Sequence, residues 1–345
     1  MADSFEDGLL DARDALLRYD EQFRWLAESG ARVRIETEAA ATAVAALDRD
    51  LMPRAIVAAG RDARLLRAVL EPWCPVPFVA WPGPGLPGWA GSNDLVVVLD
   101  PSGTDAEAAS SVDVATRRGC VLVTACPDGS SLAERAAARY TTLLPTRTPD
   151  PLAVAVVMLQ ALHRIAVGPE IHADAVADVL DAVAVDCSPY RDIGSNPGKD
   201  LAIALADCVP LMWGGSVLAA RAARRVAEAF RRTSGRPALA ADARHLLPVL
   251  TATTPRDLFA DPDDGSATSR PGLLILDDGN DQVTTRVQRG RLATAAGANG
   301  VTVQTIPAMD GAEIARYAAL LTTGSYAALY LGVGLRRADA ATEQP

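Results

Sequence analysis

Lysine is nearly absent from this chain. Lys199 is the only one in 345 residues, histidine is confined to His163, His172 and His245, and aromatic side chains make up 5%. With a net charge of −10 and scattered acids, the sequence has no basic stripe able to follow a phosphate backbone, so nucleic acid is not an expected partner. The five cysteines, Cys74, Cys120, Cys126, Cys187 and Cys208, are far apart and odd in number, and none forms a C-x-x-C pair. That pattern predicts free, buried thiols in a reducing compartment. Neither His163 nor His172 has a metal-ligating partner at i+4, so no metal is expected, and no cofactor is expected either. No apolar window reaches the length of a membrane span, and the first residues, MADSFEDGLLDARDALLRYD, lack the apolar centre of a signal peptide. A cytoplasmic protein with no membrane partner is the expectation.

What is present is an ordinary globular composition, 49% hydrophobic and 22% charged, in a chain long enough for two domains. Leu9, Leu10, Leu16, Leu17, Phe23 and Leu26 recur at helical spacing, which predicts leading helices within a segment spanning 1–50. Short apolar runs then alternate with helical patterns: RAIVAAG (54–60), 76–81, 95–99 and 121–125, with helices at 61–70, after Thr104, and at 131–139, 152–165 and 174–185. The runs are continuous instead of alternating, as strands of a parallel sheet covered on both faces should be. The alternation restarts near Asp200, with strands at 209–213, 237–241, 273–276 and 301–304 and helices between them. The segment 253–271, rich in Pro, Gly, Ser and Asp, reads as an exposed loop. The expected architecture is two tandem doubly wound α/β domains, 51–168 and 169–345, behind the helical segment.

In such sheets ligands lie beyond the carboxyl ends of the strands, against glycine turns and helix N-termini. Three strand ends qualify: Ala58-Ala59-Gly60, Asp100-Pro101-Ser102-Gly103-Thr104, and Trp213-Gly214-Gly215-Ser216. Ser102 and Thr104 could cap an anion or simply start a helix, and Ser216 has the same duality. Gly60 stands without the other glycines of G-x-G-x-x-G, so a nucleotide-binding Rossmann turn is disfavoured.

The order of strand, Ser-Gly loop and helix in the first half resembles the SIS (sugar isomerase) domain. NPGKDLAIALADCVPLMWGGS (196–216) is similar to a segment that family writes as N-P-A-K-x-L-A-x-x-L, and LTTGSYAALYLGVGLRRADA (321–340) to its G-D-Y-x-S-x-Y-L-A signature. The whole chain resembles the bifunctional phosphoglucose/phosphomannose isomerases, which carry two such domains. That resemblance implies two SIS-like domains, a sugar phosphate or related carbohydrate derivative as ligand, a homodimer, and proton transfer between adjacent carbons through an enediol. The apolar helices at 152–165 and 310–335 are the surface expected to serve dimerisation.

Matching those motifs residue by residue, Gly60 and Arg61 fall in the first phosphate turn, and Ser102, Gly103 and Thr104 in the serine loop. Asp100 stands where the family has a hydroxyl. An ionised carboxylate about 4 Å from a phosphate disfavours it by a few kcal/mol, unless Arg61 or Arg147 compensates. Gly214, Gly215 and Ser216 complete the expected substrate-binding set. The catalytic stretch corresponds to 241–250, which puts His245 where the base glutamate should be and Pro248 where the family has its histidine; the terminal lysine has no counterpart. His245 is the one candidate catalytic residue, against the plainer expectation of a surface or capping histidine. The sequence therefore supports a sugar-phosphate-binding protein with isomerase activity weak, altered or absent, beside the alternative of a non-catalytic regulatory or scaffolding pseudoenzyme.

Overall fold

The computed structural model describes residues 4–60, 62–254 and 270–337. Two compact units emerge: Ser29–Asp178, and Val179–Pro345 together with Met1–Glu28. The sequence placed its divisions at 50/51 and 168/169. The leading segment is instead shared, since Asp7–Leu10, Arg13–Leu17 and Asp20–Ala27 pack with the second unit while the helix Ser29–Ala45 packs with the first.

The 29–178 unit is built on five parallel strands: β1 (Ile56–Ala59), β2 (Phe78–Trp81), β3 (Leu95–Leu99), β4 (Val121–Pro127) and β5 (Thr141–Thr146), in the order β2-β1-β3-β4-β5. Every residue of β1 and β3 is buried, which is why both read as uninterrupted apolar runs. Val57 and Ala58 of β1 register with Val96 and Val97 of β3, and Val97 with Val123 of β4. Helices Ala106–Arg117 and Ser131–Ala136 cover one face, where Val57, Val96, Val98, Val112, Leu122 and Leu132 form a common core. β5 was not visible in the sequence because TTLLPT lacks an apolar run. It lies at the sheet edge, where Pro145 removes no ladder donor that a further strand would need.

The other unit has four parallel strands: β6 (Cys208–Gly214), β7 (Leu239–Ala240), β8 (Arg270–Leu276) and β9 (Val303–Ile306), in the order β7-β6-β8-β9. Leu211, Trp213, Leu246, Leu250, Ile275 and Leu292 form its core beneath helices Ala243–Ala252 and Val283–Ala298. Helices Val217–Ser234 and Glu313–Gly334 pack together nearby. Most of the loop expected at 253–271 lies outside the described residues.

The two apolar helices expected to offer a dimer surface are used inside the chain. Nine of the ten residues from Ala153 to Leu162 of the helix Pro151–Arg164 are buried, all but Gln160, as is almost all of Glu313–Gly334. Their hydrophobicity is accounted for by these cores, so a homodimer has only the family resemblance behind it. All five cysteines are free, and Cys120, Cys126 and Cys187 are buried. No described helix is long and apolar enough to cross a membrane.

Candidate functional site

In each sheet the chain leaves the first strand in opposite directions, to β2 or β3 in one unit and to β7 or β8 in the other. Those switch points, β1/β3 and β6/β8, open a crevice at the carboxyl ends of the strands. Gly60 and the Asp100–Thr104 loop stand at the first, Gly214-Gly215-Ser216 at the second. Gly60, Ser102, Gly103, Thr104, Gly214, Gly215 and Ser216 thus stand where strands give way to helices, as the sequence pattern leads one to expect.

At the β1/β3 point the loop is folded around its own aspartate. Asp100 is 3% exposed. Its Oδ1 accepts from Ser102 Oγ at 2.7 Å and from the Gly103 amide at 2.9 Å, and its Oδ2 accepts from the Asp105 amide at 2.9 Å. Gly103 must be glycine here, because its φ is +69° and a Cβ would lie 2.7 Å from Ser130 Cβ. Thr104 Oγ1 lies 3.0 Å from Ser102 Oγ. The helix that follows, Ala106–Arg117, is capped by Asp105, not by Ser102 or Thr104, through the amides of Glu107 and Ala108 at 2.8 and 3.2 Å. Arg147 pairs with Asp128 at 3.3 Å, while its amide donates to the buried Glu36 at 3.0 Å. Arg61 lies outside the described residues.

At the β6/β8 point Ser216 caps the helix Val217–Ser234, accepting from the Ala219 amide at 3.0 Å. Its hydroxyl donates to the carboxylate of Asp278. Gly214 is required because a Cβ there would strike the backbone of Ala219. A cleft of about 440 Å³ opens beside this turn, and Ser216, Arg224, Asp242, Arg244 and Gln288 line it. Arg224 and Arg244 are exposed, and Arg244 lies 3.9 Å from Asp242. The helix N-terminus and two guanidinium groups stand here together with the carboxylates of Asp242 and Asp278, so the cleft presents charge of both signs.

His245 does not join that cleft. It is exposed on the helix Ala243–Ala252, and its Nε2 accepts a hydrogen bond from Arg244 Nε at 3.1 Å. The lone pair on that nitrogen is therefore already engaged. His163 Nδ1 is 3.1 Å from the Gly168 carbonyl, and His172 lies 3.9 Å from Glu170. Among the described residues no group of three His, Cys, Asp or Glu side chains could hold a metal.

Arg224, Gln288 and Asp278 were missed from sequence. Arg224 follows Ala220 by one helical turn and so shares its face toward the cleft. Asp278 had a usable signal: an apolar strand running into an acid occurs twice, at Leu99-Asp100 and at Leu276-Asp277-Asp278.

Residues 194–341 match the family described as the bacterial phospho-glucose isomerase C-terminal SIS domain. Among solved structures, a candidate phosphosugar isomerase from Clostridium difficile 630 is 12% identical with a TM-score of 0.64, covering 93% of this chain and 95% of its own. The tagatose-6-phosphate ketose/aldose isomerase from Escherichia coli is 14% identical with a TM-score of 0.62, covering 92% of each. The C-terminal domain of a glucosamine-fructose-6-phosphate aminotransferase from Francisella tularensis is 12% identical with a TM-score of 0.57, covering 86% of this chain and 95% of that one. No curated protein matches the chain. The resemblance to SIS-domain sugar isomerases is supported, and the likeness to these structures shows a shared α/β fold with two parallel sheets.

Proposed function

We propose that the protein binds a phosphorylated carbohydrate, or a close carbohydrate derivative, in the cleft at the carboxyl end of β6, with aldose–ketose isomerase activity weak, altered or absent. The observation that carries this reading is the placement of Arg224 and Arg244 around one cleft at the β6/β8 switch point, beside the Gly214-Gly215-Ser216 turn. Guanidinium groups suit the planar, multidentate recognition of a phosphate ester. Asp242 and Gln288 offer acceptors and donors for sugar hydroxyls on the same walls.

Enediol chemistry asks for a carboxylate base within hydrogen-bond reach of the substrate carbons. In the stretch 241–250 the only carboxylate is Asp242, 3.9 Å from the Arg244 guanidinium, and His245 has its Nε2 engaged by the same arginine. Those two contacts favour a second reading, binding without turnover, as in a sensor or a scaffold for a partner enzyme. A homodimer belongs to both readings through the family resemblance, and light scattering of the full chain tests it.

Isothermal titration with fructose 6-phosphate and glucose 6-phosphate, paired with a coupled assay for isomer formation at high protein concentration, tests the proposal. Saturable binding weakened about ten-fold or more in Arg224→Ser/Arg244→Ser is expected, the loss of at least one charge-assisted contact. Absence of binding at millimolar ligand, or binding indifferent to the double substitution, would overturn it. Turnover separates the two readings.

A further inference from the structure

We propose that Asp100 is a built-in anion that closes the strand-end cradle of the 29–178 unit to phosphate, so that this unit does not take the phosphoryl group of a ligand. The inference concerns the other sheet from the cleft described above and stands whether or not that cleft binds a sugar.

A phosphate at a switch point is held by loop hydroxyls and by amides at the start of the next helix. Here those groups are committed. The Ser102 hydroxyl and the Gly103 and Asp105 amides all converge on the two oxygens of Asp100, at 2.7, 2.9 and 2.9 Å. A carboxylate satisfied in this way is the intramolecular equivalent of a bound oxyanion, with the advantage that its own chain supplies it at no loss of translational freedom. Asp100 is 3% exposed, and its bond from the Gly103 amide is fully buried. Among the described residues the charge is met by the loop and not by an ion pair.

The surroundings reinforce the closure. The N-terminus of Ala106–Arg117 already carries a second carboxylate, Asp105, on the amides of Glu107 and Ala108. Arg147, the described arginine the sequence offered as compensation, has its guanidinium beside Asp128 at 3.3 Å. Gly103, with its positive φ and no room for a Cβ beside Ser130, suits the loop to this conformation. An arriving phosphate dianion would have to displace a tethered carboxylate and then lie beside it. The geometry thus explains more than repulsion would: the donors remain in place, and a single side chain occupies them.

The test uses the full chain carrying Arg224→Ser/Arg244→Ser, so that the other cleft does not contribute, and follows the amide resonances of Gly103 and Asp105 during titration with inorganic phosphate and with glucose 6-phosphate. With Asp100 present, neither amide is expected to shift saturably at millimolar ligand. Asp100→Ser should gain saturable binding at these amides about ten-fold tighter or more, the return of at least one charge-assisted hydrogen bond. Asp100→Asn, nearly isosteric, should show a smaller gain and serves if the serine variant melts early. Saturable shifts of Gly103 and Asp105 while Asp100 is intact overturn the proposal irrespective of the variants. So does the absence of any gain in a variant that melts like its parent.

Discussion

The Lys199 ammonium donates to the Asp11 carboxylate at 2.7 Å, across 188 positions of sequence, and to the carbonyls of Pro189 and Arg191 at 3.1 and 2.7 Å. Its three protons are thereby taken up, and the charge lies 5.5 Å from the Tyr330 ring. Asn196 caps the helix Pro197–Leu205 through the amides of Gly198 and Lys199, and its Nδ2 donates to Tyr330 Oη at 3.3 Å. Tyr330 in turn donates to the Cys187 carbonyl at 2.8 Å, and Phe23 from the leading segment packs on it with ring centroids 5.0 Å apart. The two motifs that carried the family resemblance, 196–199 and 326–331, therefore meet in one buried node that holds the unit together.

Replacing the fully buried Lys199 with methionine is expected to destabilise the protein by about 2–4 kcal/mol, because two part-buried carbonyls lose their donor and Asp11 its partner. Asp11→Ala should be milder, since that side chain is 47% exposed. Urea unfolding midpoints give both values.

Gly103→Ala combines a strained φ with a contact on Ser130 and is expected to lower stability by about 1–3 kcal/mol. Gly119→Ala is the control: its φ is +66° but nothing lies within 4 Å of a Cβ there, so only the backbone penalty of about 1 kcal/mol applies. Thermal melting of the two variants separates sterics from backbone strain.

Burial pushes the Cys187 thiol up to about 12, opposed in part by the Gly198 amide. The unfolded thiol ionises near its ordinary value while the folded one stays protonated. A raised folded pKa means that this contribution is intact below the ordinary thiol pKa and is lost as pH rises toward 12. Stability should fall across that alkaline window by up to about 1.4 kcal/mol per pH unit from this group. Cys187→Ala should flatten that part of the profile in denaturant titrations between neutral and alkaline pH.

At the acid end, Asp94 is the group to watch. Burial acts to raise its pKa, but the hydrogen bond from Arg54, the Gly91 amide and the Arg54 charge together bring it below the usual carboxylate value. A depressed folded pKa gives stability that is present above the ordinary carboxylate pKa and lost as pH falls through the folded one. Asp94→Asn is expected to unfold at a midpoint that depends less steeply on pH in this acid range than the parent protein's, as acid melting curves would show.

His245→Gln should leave stability within about 0.5 kcal/mol of the parent, as expected for an exposed side chain away from the core, and should leave sugar-phosphate affinity unchanged. Titration calorimetry with the variant checks the second part. A lost affinity would return His245 to the binding cleft.

Sequence determined every strand but β5, and the turns that follow the apolar runs, because both depend on local patterning. Continuous runs such as LVVVL (95–99) and LLIL (273–276) can be buried on two faces only in a covered parallel sheet, and glycine with a hydroxyl after them marks the turns. Tertiary structure decided what those turns do. The engagement of Ser102, Gly103 and Asp105 by Asp100, and of Ser216 by Asp278, depends on side-chain direction within a folded loop, which residue spacing does not encode. So does the role of Lys199, whose partner Asp11 lies far away in the chain and is brought near only when the leading helices pack on the second unit. The cleft at β6 has the same origin: Arg224 and Gln288 come from helices on opposite sides of β8 in sequence, and only the strand order β7-β6-β8-β9 sets them around one turn.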